Sequence, residues 1–163
     1  MAKRVAYSAM LVALAMIFSY VEALIPFSFG IPGIKLGLAN LVVVIGLFFL
    51  KPLQVLGILI ARIVLVAFLF GNMSSLLYSL AGGILSFCVM LLLKKCKGFS
   101  IIGISMAGGV SHNVGQLVVA ACVVENVHVF YYMPVLLVAG LITGMLIGTV
   151  GQRVCHYLRI EER

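Results

Sequence analysis

Long apolar runs, separated by short clusters of charge, proline and glycine, make up nearly the whole chain. The runs are continuous rather than alternating, which argues for helices and against a β-barrel. Breaks at these clusters predict six helices, running from about Val5 to Leu24, Leu36 to Leu50, Leu53 to Phe70, Leu76 to Leu93, Phe99 to Val124 and Val129 to Val150. A membrane span takes about 20 apolar residues. The second run is short for that and stops at Lys51-Pro52, where proline cannot continue a helix smoothly. A Pro/Gly-rich loop, Ile25 to Lys35, precedes it, and a basic, amphiphilic tail follows the sixth run. The loop is either a simple connection or a lid over an outward-facing cavity.

Composition turns this pattern into a solvent. Of 163 residues, 64% are hydrophobic and 9% charged, against ~25% charged in a soluble domain. Disorder, an ordinary soluble enzyme and a disulfide-stapled secreted domain are excluded. The expectation is one all-α integral membrane domain over residues 1–163. The net charge of +7 reads as topology rather than nucleic-acid binding, because there is no contiguous soluble basic face. With the N-terminus in the cytoplasm, six spans return the C-terminus there. Lys3, Arg4, Lys51, Lys94, Lys95, Lys97, Arg153, Arg159 and Arg163 then lie on the cytoplasmic side, Lys35 alone on the outer side, and Arg62 within a span. That asymmetry follows the positive-inside rule and predicts a multi-pass protein of the cytoplasmic (bacterial inner) membrane. No small-residue cleavage site of the A-x-A type follows the first run, which reads as a retained helix rather than a signal peptide. Cys88, Cys96, Cys122 and Cys155 form no metal-ligand pattern.

Polar side chains within apolar runs are the informative ones, since lipid offers them no partner. Arg62 costs about 2.5–3.5 kcal/mol at a bilayer centre. It either pairs with Glu22 or backbone carbonyls, snorkels, or binds an anionic ligand. His112, Asn113 and Gln116 cluster on the fifth helix, with 112 and 116 one turn apart. They serve either as inter-helix hydrogen bonds or as a cavity wall, and the cavity wall is the preferred reading. Lys35, Asn40 and Asn72 add polar groups at the outer ends. These seven residues form the candidate substrate site. Tyr131 and Tyr132 suit an interfacial aromatic belt. Gly140, Gly144 and Gly148 share one face of the sixth helix and Ala6, Ala9 and Ala13 one stripe of the first, both suited to close packing or partner docking.

Absences matter as much. There is no Asp and no P-loop, so neither Walker-type nucleotide hydrolysis nor an Asp-rich Mg²⁺ site can be built from this chain. No catalytic residue, metal site or cofactor is expected, and the chain is not expected to be an enzyme by itself.

The segments Pro32-Gly33-Ile34-Lys35-Leu36-Gly37-Leu38-Ala39-Asn40, Leu69-Phe70-Gly71-Asn72 and Ser111-His112-Asn113-Val114-Gly115-Gln116-Leu117 resemble the bacterial Gx transporter family, also labelled heptaprenyl diphosphate synthase component I. That family is similar to the substrate-binding S components of energy-coupling factor (ECF) transporters. The resemblance implies a six-helix bundle, an outer loop capping the site, and a first helix that docks a transmembrane coupling subunit driven by ATPases. Ala9-x3-Ala13 is similar to that docking motif. The implied ligand is a vitamin-like molecule or an isoprenoid or quinone precursor. The alternative is a non-catalytic membrane subunit associated with a prenyl diphosphate synthase or redox system.

Overall fold

Local signals set where each helix starts and stops. The computed structural model of the chain describes residues 2–24, 37–96 and 98–161. Its helices are α1 (Ala2–Leu24), α2 (Leu38–Phe49), α3 (Pro52–Phe70), α4 (Met73–Lys95), α5 (Ile101–Val124) and α6 (Met133–Glu161), with a short 3₁₀ turn at Val127–Tyr132 before α6. Pro52 takes the first position of α3, where its missing N–H costs nothing, and the Lys51 N–H donates to Gln54 Oε1 at 3.3 Å. The Asn72 side chain accepts the Ser75 N–H at 2.8 Å and starts α4, and Ser100 accepts the Gly103 N–H at 3.1 Å and starts α5. Glu125, in the left-handed region at φ 52°, closes α5. No strand occurs among the described residues.

Among the described residues five helices are long and apolar enough to cross a membrane, which makes this a multi-pass membrane protein. α2 is different: its 12 residues span only ~18 Å at 1.5 Å each, against a hydrocarbon core of ~30 Å. Half of α2 is buried, because α1, α3 and α6 surround it. A second departure from the sequence pattern is α6. It runs on to Glu161 instead of ending near Val150, so Arg153 sits on a helix, not in a loose tail.

α5 packs most extensively on α6 and then on α4. Glycine makes both interfaces. A Cβ on Gly144 would stand 2.6 Å from Met106 Cα and 2.7 Å from Ser105 O, and one on Gly148 2.7 Å from Ile102 Cα. Gly109 meets the Gly140 carbonyl in the same seam. On the other side of α5, a Cβ on Gly115 would lie 2.9 Å from Ala81 O. Backbone therefore rests on backbone across α4, α5 and α6. α1 packs differently, through α2 and α3, with Ala15 buried against Val42 and Ile58. Only 6% of its apolar stretch is buried. The main core lies among Val43, Leu47, Val55, Leu59, Phe87 and Ile104. Lys94 of α4 donates to the Leu47 carbonyl near the end of α2 and stands 5.4 Å from the centre of the Phe48 ring. It thus satisfies one of the carbonyls that a helix C-terminus leaves open.

Candidate functional site

A cavity of about 170 Å³ lies between the α1–α3 side of the bundle and the α4–α6 side. Helical periodicity explains its wall. On α4, Ser75, Ser79, Ser86 and Met90 follow one face at i, i+4, i+11 and i+15. On α5, Ser105, Gly108, His112 and Gln116 do the same at i, i+3, i+7 and i+11. Gly82 lets α4 approach there, since a Cβ on it would stand 2.7 Å from His112 O and 2.8 Å from Gln116 Cγ. α6 contributes Thr143, whose hydroxyl donates to the Ala139 carbonyl at 2.9 Å.

The facing wall is charged. Arg62 enters from the middle of α3, and Ser19 and Glu22 from the last turns of α1. Arg62 Nη1 donates to Ser19 Oγ at 3.5 Å, and the Glu22 carboxylate acts electrostatically on the guanidinium. Glu22 Oε1 also accepts the Gly37 N–H at 2.5 Å. Gly37 has φ 72°, a left-handed conformation that favours glycine, and it sets the start of α2 from which Asn40 reaches the wall. The rings of Tyr20 and Phe70, 5.0 Å apart, join α1 to α3 at this end. Two polar atoms on the wall are buried without a hydrogen-bond partner: Arg62 Nε and Ser86 Oγ. Ser86 is 2% exposed.

Of the candidate residues, the structure brings Asn40, Arg62, His112, Asn113 and Gln116 onto one cavity. Asn113 is partly committed elsewhere, since its amide donates to the Leu136 carbonyl at 2.7 Å and ties α5 to α6. Asn72 is not on the wall; its side chain caps α4. Lys35 and the Ile25 to Lys35 loop lie outside the described residues. Ala9 and Ala13 are exposed on α1. Sequence reasoning named Glu22 only as a possible partner of Arg62, and passed over Ser19, Ser79, Ser86, Ser105 and Thr143. The serine register of α4 was the signal that would have found Ser79 and Ser86.

The family model described as heptaprenyl diphosphate synthase component I matches residues 11–154. The chain belongs to that family. In this member of the heptaprenyl diphosphate synthase component I family the match takes in the whole cavity wall, from Ser19 to Ile147, and leaves Ala9 outside. No curated protein and no solved structure matches the chain. No group of three metal-ligating side chains occurs among the described residues.

Proposed function

We propose that this chain is the substrate-binding membrane component of an importer of the ECF type, taking up a small vitamin-like molecule or an isoprenoid or quinone precursor. The observation that carries the reading is the cavity, whose hydroxyls, amides and two opposite charges, Arg62 and Glu22, sit inside an otherwise apolar bundle. Polar groups at that depth are expensive and are commonly kept for a polar cargo. The basic residues crowd one side when six segments are threaded through the bilayer, with both termini in the cytoplasm of a cytoplasmic-membrane protein. In that orientation the cavity faces the end where α1 and α3 finish, on the outer side, and the short α2 belongs to the second of the six crossings. Ala9 and Ala13 offer a close-approach surface for a transmembrane coupling subunit, with ATPases supplying the movement. The chain itself is not a catalyst in this reading, because it has no Asp to hold Mg²⁺ at a diphosphate.

The family description favours a second reading: a non-catalytic membrane subunit that accompanies a prenyl diphosphate synthase or redox enzyme. Affinity purification from membranes containing both an ECF coupling module and a soluble prenyl synthase separates the two. The transport reading expects the coupling subunit to be recovered with wild type and lost with Ala9→Leu/Ala13→Leu, while any bound small molecule stays. Recovery of the synthase instead, with raised product formation on adding this chain, would establish the second reading and remove the first.

A further inference from the structure

We infer that the cavity selects a compact, hydrogen-bonding molecule without net charge, and that Glu22 sets this selectivity by compensating Arg62. The inference rests on the transport reading's premise that the cavity holds a ligand, and it goes on to name the ligand's class.

Charge is the first ground. Arg62 and Glu22 are the cation and the carboxylate on the cavity wall among the described residues, and they act on each other on the same side of it. The rest of the polar wall is hydroxyl, amide and imidazole. Among the described residues the wall is electroneutral, and inside an apolar bundle such a wall disfavours a multiply charged anion, because each added charge must leave water without a matching cation from those residues. A diphosphate is the poorest fit, since its first charge already competes with Glu22 for the guanidinium.

Size is the second ground. About 170 Å³ is room for roughly six waters at ~30 Å³ each, well below the ~300–1,000 Å³ of pockets for drug-sized ligands. That volume is too small to enclose a whole heptaprenyl chain. The third ground is the kind of polar group the wall offers: Asn40, Ser79 and Gln116 bring amide and hydroxyl groups that both donate and accept, which suits a neutral hydrogen-bonding molecule. Ile63, Val66, Phe70 and Met90 complete the wall with apolar surface for its carbon frame.

A charge cycle tests this. Binding of isopentenyl diphosphate is measured by calorimetry on the detergent-purified full chain as wild type, Glu22→Gln and Glu22→Gln/Arg62→Gln. Native mass spectrometry of wild type reads the molecule retained from the expressing cells, whether or not either variant folds. Gln keeps an oxygen to accept the Gly37 N–H. The retained molecule is expected to be uncharged, and Glu22→Gln to bind isopentenyl diphosphate about tenfold or more tighter than wild type. The second substitution should return binding to the wild-type level. A retained diphosphate, or equal affinity in wild type and Glu22→Gln, overturns the charge selectivity and leaves the transport reading standing. A wild type that retains nothing, with no variant binding the probe, overturns both.

Discussion

The α5–α6 seam and the packing of α1 are two ways of holding a helix in the same bundle. In the seam, glycine places backbone against backbone, as where Gly144 meets Met106 Cα and Ser105 O. Such a contact has no side chain to rotate away, so it fixes depth and rotation together. α1 instead rests on Ala15, Val42 and Ile58 and on polar ties from Ser19 and Glu22. Its outward side, with Tyr7, Met10 and Ile17, faces away from the protein. One half of the bundle is a fixed wall. The other meets it through side chains, and the cavity lies between them.

The largest effect should come from Gly144→Leu. Its Cβ alone already meets backbone, so α5 and α6 must separate, and thermal unfolding in detergent should show more than about 3 kcal/mol of lost stability. If the variant unfolds like wild type, the seam is not the rigid half. Lys94→Met comes next, since it strips the Leu47 carbonyl of its donor and loosens α2 from α4. A loss of about 2 kcal/mol is expected, read from the same melting curves. Asn72→Ala should cost about 1 kcal/mol through the lost cap on α4, while the molecule retained in the cavity, read by mass spectrometry, is unchanged. The smallest effect belongs to Ala13→Leu on the exposed side of α1, within about 0.5 kcal/mol. Destabilisation equal to that of Gly144→Leu would show that α1 is packed as tightly as α6, and the contrast would collapse.

Helix positions were legible along the chain because their signals are local. Pro52 acts on neighbours within one turn, and the structure starts α3 beside it, whereas Asn72 and Ser100 cap α4 and α5 a few residues away from the starts that the apolar pattern gave, Leu76 and Phe99. The extension of α6 to Glu161 was not legible, since a drop in hydropathy marks where a helix leaves an apolar phase, not where it ends. The candidate site was readable in part. The clustering of His112, Asn113 and Gln116 within one turn and a half stood out on a single helix, and so did a buried Arg62. Ser86 did not, because one serine in a long apolar run carries no signal until its register with Ser75 and Ser79 is counted.

The sequence by itself determined the solvent, the helical class, the breaks and the polar residues that apolar surroundings make expensive. Each is a property of one segment and its nearest neighbours. Only the tertiary structure decided that Glu22 and Arg62, forty positions apart, act on each other on one wall of the cavity, and that Asn72 serves α4 rather than the wall. It also decided that the glycines of α6 press on α5, and that α2 is too short to span yet deeply enclosed. These depend on how far each helix is rotated and sunk relative to the others. Close backbone contacts between distant segments set that, and hydropathy along one segment does not encode it.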